Sequence, residues 1–164
     1  MFKFVLFKAI EDTALCEAYL IGHRKILKDY GIENITTNNE EWMFDENVHV
    51  IAAMTKSSNE IVGGIRIHKS TEKRALPIED AIFPMDSRIS ELIKFDRHHG
   101  CGEACGLWNS RLFFGKGLSP LLSRTAVAYS HFVGINSLFC LAANYTTSIA
   151  QKIGFNTVRE IGES

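Results

Sequence analysis

The stretch from Glu103 to Pro120, EACGLWNSRLFFGKGLSP, constrains the fold more than any other part of this chain. Ala104 to Asn109 has the length and apolar content of a strand. Gly115 and Gly117 mark a turn, because glycine takes positive φ without steric cost and lets a backbone approach a ligand closely. From Leu118 the apolar residues switch to helical spacing: Leu118, Leu121, Leu122, Ala126, Tyr129, Phe132 and Val133. Ser119 and Pro120 suit a first helical turn, where proline forfeits no hydrogen bond. Such a strand–turn–helix aims free N–H groups and the positive end of a helix dipole at one point, a seat for phosphate. The same glycines also serve as plain loop punctuation, so the flanking chain has to decide.

Phe2 to Lys8 reads as a first strand. Glu11, Asp12 and Thr13 open a helix whose apolar residues run from Leu15 to Tyr30, with Gly31 as its cap. Residues 31–46 are polar and aperiodic, and are expected to form a loop or short helix that lays Trp42, Met43 and Phe44 over a cleft. Val48–Met54 and Ile61–His68 make a hairpin across Lys56–Glu60, and Gly63-Gly64 suggests a bulge. Leu76 to Phe83 allows one helical turn. Arg88 to Asp96 alternates Ile89, Glu91, Ile93 and Phe95 and reads as a strand, with a hairpin tip at His98–Gly102. After the long helix, ended by Gly134, Ile135–Ala142 reads as a buried strand. Asn144 caps a helix over Tyr145–Ile153, and Phe155–Glu160 reads as a last strand. The whole is one α/β domain, residues 1–164, with a mixed central sheet flanked by helices.

Composition narrows the function classes. A net charge of −1 gives no global pull toward nucleic acid. No apolar run reaches membrane-spanning length, and the apolar N-terminus lacks a cleavage site of small residues, so a cytoplasmic location with reduced cysteines is the expectation. His98, His99, Cys101 and Cys105 lie close together, but their spacing matches no standard zinc site, so no metal is expected. Cys16 and Cys140 read as small core residues. No Gly-x-Ser-x-Gly elbow supports serine hydrolysis, and the histidines form no constellation.

The element order, the Gly115-Lys116-Gly117-Leu118 turn and the closing Asn144…Ile153-Gly154-Phe155 resemble the GNAT superfamily of N-acyltransferases. Leu112 stands where that superfamily's turn begins with arginine or glutamine, so a side-chain donor is lost while the backbone donors remain. Val62–Ile67, Leu76–Pro84 and Glu103–Leu107, with Arg24 before them and Trp42 and Asp45 in the loop, are similar to the N-acylhomoserine lactone synthases and N-acyl amino acid synthases. Gly106 replaces an arginine of those synthases, which favours simple N-acylation over lactone formation. Ala150 occupies the place of the general-acid tyrosine of ordinary acetyltransferases.

The resemblance implies a GNAT-like fold and transfer of an acyl group from a thioester to a small amine acceptor such as an amino acid. The donor would be acyl-CoA or acetyl-CoA, or the phosphopantetheine of an acyl carrier protein, with Arg111, Lys116, Arg124 and Lys152 as a basic rim for that carrier. Amides of Phe113, Phe114, Gly115, Lys116 and Gly117, with Leu118 and Asn144, would hold the donor phosphate, and Leu107, Trp108 and Asn109 its carbonyl and arm. Glu103 would be the base. Arg24 and Arg66 would bind an acceptor carboxylate, with Trp42 and Phe83 walling the acyl pocket. An ordinary acetyl-CoA-dependent N-acetyltransferase, and an inactive GNAT-fold sensor, are the alternatives. Glu103 and Arg66 have plain readings too, as a strand cap and a paired strand charge.

Overall fold

A computed structural model describes residues 1–32 and 39–162. Its elements are β1 (Phe2–Lys8), α1 (Thr13–Asp29), β2 (Val48–Thr55), β3 (Ile61–Lys69), α2 (Pro77–Ile82), α3 (Arg88–Arg97), β4 (Cys101–Asn109), α4 (Leu118–Phe132), β5 (Ser137–Phe139) and α5 (Asn144–Lys152). One sheet holds the strands in the order β1-β2-β3-β4-β5. The first four are antiparallel, and β5 runs parallel to β4. Among the described residues no helix is long and apolar enough to cross a membrane.

Period-two alternation sorts the sheet into two faces. Val48 and Val50 pack with Tyr19, Leu20, Trp42 and Trp108 on the α1 side. Ile51, Ala53, Ile65, Ile67 and Ala104 pack against Leu118, Leu122 and Ala126 on the α4 side. Two irregularities break the ladders. In β3 one extra residue, Val62, falls beside Gly63, where the glycine pair leads one to expect it. In β4 three steps, Cys105 to Trp108, pass only two of β3, Arg66 to Gly64. The extra residue there is Gly106, in the left-handed region at φ +63°. A Cβ at this position would sit 2.9 Å from both Arg66 Nε and Tyr19 Oη, so only glycine fits.

Several expectations need correction. Arg88–Arg97 is a helix, not a strand. Ile89 and Ile93 lie four apart and both are buried, while Glu91 and Phe95, which a strand would place on the same face, are exposed. Burying the two isoleucines, at about 1.5–3 kcal/mol each, selects the helical period over the alternating one. There is accordingly no hairpin tip at His98–Gly102; the helix ends there, and β4 begins earlier than expected, at Cys101. The run Ile135–Ala142 supplies only three strand residues before the chain leaves the sheet. Residues 155–160 form no strand, and 156–160 are exposed. Residues 33–38 of the expected loop lie outside the described residues, and its later part forms a 3₁₀ turn at Glu41–Phe44 that buries Trp42 and Met43.

Candidate active site

β5 pairs with β4 only from Cys101 to Glu103. Beyond that point β4 continues to Asn109 with no strand partner on its β5 side among the described residues, and the gap opens a cleft. Three cavities follow it. The outer one, about 580 Å³, is lined by Leu107, Trp108, Asn109, Phe113, Phe114, Gly115, Gly117, Leu118 and Ser119, facing Ile26 of α1 and Tyr30 just after it. The inner one, about 500 Å³, is lined by Glu103 to Leu107, Ser123, Cys140 to Ala143, Ala150 and Phe155. Outer and inner cavities share His23, Leu27, Ile32, Leu107, Thr146 and Ile149, so they are continuous. A rear cavity of about 530 Å³, walled by Ile78, Ile82, Leu92, Val127, Leu138 and Ile161, shares Cys140, Leu141, Ala142, Ala150, Ile153 and Phe155 with the inner one.

At the outer end, the turn before α4 leaves fewer free donors than the sequence suggests. The N–H groups of Phe113, Phe114 and Lys116 donate to Ser110, Arg111 and Phe113 carbonyls. The amides of Gly115, Gly117, Leu118 and Ser119 have no hydrogen-bond partner among the described residues. The donor set thus shifts toward the helix start, where orphan N–H groups and the dipole add. Gly115 and Gly117 take φ +70° and +76°. The turn is braced by Arg111 Nε to Asp29 Oδ2 at 3.2 Å and by the Tyr30–Phe114 ring stack. Asn109 accepts from the Ser119 hydroxyl at 3.1 Å, tying the strand end to α4.

At the inner end, Glu103 stands between His68 of β3 and Phe139 of β5. It is 1% exposed, and its Oε2 accepts the Ile78 N–H at 2.7 Å. Burial pushes its carboxyl up to about 8, against the opposing pull of the Ile78 N–H and the Arg66 charge; Asp80 and Glu79 raise it further. Burial likewise pushes Cys105 up to about 12 and Cys140 up to about 11, so both are thiols rather than thiolate nucleophiles.

Arg66 does not line any of these cavities. It is fully buried, with its guanidinium 4.3 Å from the Trp42 ring and 5.9 Å from that of Tyr19. Tyr19 in turn donates its hydroxyl to the Gly106 carbonyl. Arg66 and Trp42 therefore pack beneath the bulge, and neither lines any of the three cavities. Arg24 pairs with Glu40 at 3.0 Å, Phe83 is half exposed at the end of α2, and Asn144 is exposed at the start of α5 without capping it; none of these lines a cavity. Lys116 lies outside the lining too, with its ammonium 5.6 Å from the Phe113 ring. Among the described residues no three His, Cys, Asp or Glu side chains converge as a metal site.

The sequence reading passed over His23, Leu27 and the Cys140–Ala143 wall. Tyr19, His23 and Leu27 lie at successive i, i+4 steps of one helix face, and that stripe was a usable signal.

No protein-family model matches the sequence, and no curated protein does; the likeness to known proteins is one of structure. A predicted acetyltransferase of Clostridium acetobutylicum, solved with acetyl-CoA, superposes with a TM-score of 0.67 at 15% identity, covering 100% of this chain and 96% of that one. A GCN5-related N-acetyltransferase from Ralstonia eutropha gives 0.64 at 12% identity, covering 100% and 98%. Glucosamine-6-phosphate N-acetyltransferase from Arabidopsis thaliana gives 0.61 at 10%, covering 96% and 93%. The chain has the GNAT acyl-CoA N-acyltransferase fold: a mixed five-stranded sheet flanked by helices. At these identities the likeness is one of architecture, and function has to be argued from the site.

Proposed function

We propose that the protein is an N-acyltransferase that moves an acyl group from coenzyme A to the amine of a small acceptor. One observation carries this: a continuous cleft leads from the unpaired amides at the start of α4, past the bulged end of β4, to a buried carboxyl and an apolar interior. The amides of Gly115, Gly117, Leu118 and Ser119 hold the pyrophosphate. The pantetheine arm lies along Leu107 to Asn109, which brings the thioester to the junction of the outer and inner cavities. Glu103, once ionised, takes the proton that the amine loses as its nitrogen bonds to the carbonyl carbon. The C–S bond then breaks and coenzyme A leaves as the thiolate, which takes its proton from solvent. Holding both reactants in one cleft lowers the barrier further by removing the entropy of their encounter.

The inner cavity opens into the rear one past Ala150, so an acyl chain longer than acetyl has room there. An acetyl donor fits the same outer site, and is the second reading. The N-acyl amino acid synthase subtype loses support, since Arg24 and Arg66 do not line the cleft, and the acceptor is proposed only as a small amine. A carrier-protein donor is weakened as well, because Arg111 is already paired with Asp29.

Thiol release from acetyl-, octanoyl- and palmitoyl-CoA, with a panel of amino acids, polyamines and amino sugars, tests the reading. Amine-dependent release with at least one pair is expected. Binding of coenzyme A without any turnover would replace it with the sensor reading.

A further inference from the structure

We propose that His23 is a catalytic residue of this acyl transfer, donating a ring N–H to the thioester carbonyl oxygen as that oxygen takes up negative charge; the assignment rests on the acyltransferase reading. His23 belongs to the few residues that line both the outer and the inner cavity. The anionic end of the donor is held on one side of that junction, and Glu103 and the acyl space lie on the other. The reacting carbonyl therefore has to pass His23. Among the other side chains at the junction, those of Leu27, Ile32, Leu107 and Ile149 are apolar, and the Thr146 hydroxyl already donates to the Ala143 carbonyl at 2.9 Å, so His23 offers the one side-chain N–H there among the described residues, beside the main-chain amides of β4.

The ring is built in rather than left at a surface. It is 3% exposed and packs beside Tyr19, with ring centroids 6.2 Å apart. Its Nδ1 is buried with no hydrogen-bond partner among the described residues. An unmet buried nitrogen costs roughly 1–3 kcal/mol, a cost that packing alone does not call for. With no acceptor at Nδ1, nothing holds the proton there. The favoured tautomer carries it on Nε2, the nitrogen left to meet a ligand.

Electrostatics set the role. Burial, then the charges of Arg66 and Arg24, lower the ring to about 4. It is neutral at ordinary pH, too weak a base to take the amine's proton and well suited to donate a hydrogen bond. The division of labour follows. The amine nitrogen attacks the carbonyl carbon and the C=O electron pair moves to oxygen, where the His23 N–H receives it. The amine's proton goes to Glu103. Collapse restores the carbonyl and expels the thiolate. Losing one such donor typically costs about 10²–10³-fold in kcat.

The experiment compares wild type with His23→Leu, which fills the space without a donor, and His23→Gln, which restores an N–H near Nε2. Turnover of octanoyl-CoA with the best amine gives kcat, KM and the pH profile. The expected result is a kcat lower by about 100-fold in the leucine variant, an octanoyl-CoA KM within about threefold, and an unmoved rising limb from Glu103. The glutamine variant should recover a tenth or more of the loss. A leucine variant with unchanged kcat, or one impaired only in KM, overturns the assignment while leaving the acyltransferase reading intact. A wild type without turnover of acetyl-, octanoyl- or palmitoyl-CoA removes both. Should the leucine variant not fold, ¹⁵N-histidine spectra of the wild type decide. The non-cleavable ketone analogue of octanoyl-CoA should shift the His23 Nε2 resonance, and an unshifted resonance in the bound state overturns the assignment.

Discussion

Glu103 is held under two opposed demands. Burial favours its protonated form, while the Ile78 N–H and Arg66 favour the anion, and burial wins, leaving the group near 8. As a base it works only when ionised, so kcat/KM should rise with pH through about 8. Stability runs the other way. Below about 4.5 both folded and unfolded chains carry the proton; between there and 8 the unfolded chain has lost it and the folded one keeps it. Rising pH through that window therefore destabilises the fold. Glu103→Gln keeps an acceptor for Ile78 and carries no charge. Its Tm should match wild type near pH 5 and exceed it by on the order of 5 °C near pH 9, while turnover falls 10²-fold or more; scanning calorimetry and thiol release check the two halves. Arg66→Met supplies a second check at this scale. Removing a cation that favours the Glu103 anion should move the rising limb of the pH profile to higher pH, with KM for the donor little changed. An unmoved limb would mean that Arg66 braces the bulge and nothing more.

On the proposed function the β4–turn–α4 unit seats the donor, and its glycines are where a change should be felt. Gly117 sits at φ +76° with open space where a Cβ would go, so the cost of Gly117→Ala is conformational rather than steric. An alanine there pays about 1–2 kcal/mol to stay left-handed. The turn instead relaxes and disperses the amides of Gly117, Leu118 and Ser119. A rise of about tenfold in the Kd for coenzyme A is expected, measured by titration calorimetry, with kcat at saturating donor nearly unchanged. This unit was legible in the sequence because its signals are local: glycine spacing, a proline at the first turn, and an apolar run with a period near 3.6. α3 was not, because Ile89, Glu91, Ile93 and Phe95 satisfy a strand's alternation while Ile89 and Ile93 equally satisfy a helix. Only packing against Leu76, Ile78 and Cys101 chooses between them. The same limit hid the fate of Arg66. Its type and its strand could be read, but whether it faces an acceptor or stacks on Trp42 depends on a bulge created by Gly106, in another strand. Glu103 was singled out as a candidate base at the head of β4 and through the resemblance; the rise in its pKa comes from burial that no local pattern records.

The molecule as a whole is a sheet that parts between β4 and β5, with three cavities in series along the parting. What distinguishes a long-chain from an acetyl enzyme is the passage between the inner and rear cavities, and Ala150 lines both. Each methylene buried there contributes up to about 0.8 kcal/mol, so an octanoyl chain gains a gross 4–5 kcal/mol over acetyl, part of it spent on ordering the chain. Wild type should therefore favour octanoyl- over acetyl-CoA in kcat/KM. Ala150→Phe places a ring in the passage from the face of α5. It should cut kcat/KM for octanoyl-CoA by about tenfold or more while leaving acetyl-CoA within about threefold, because the outer cavity and the turn are untouched. Parallel loss on both donors would mean that α5 had shifted and the thioester site with it. A wild type that prefers acetyl-CoA, with the phenylalanine variant indifferent to chain length, would mean that the rear cavity plays no part in turnover and that the ordinary acetyltransferase reading is the right one.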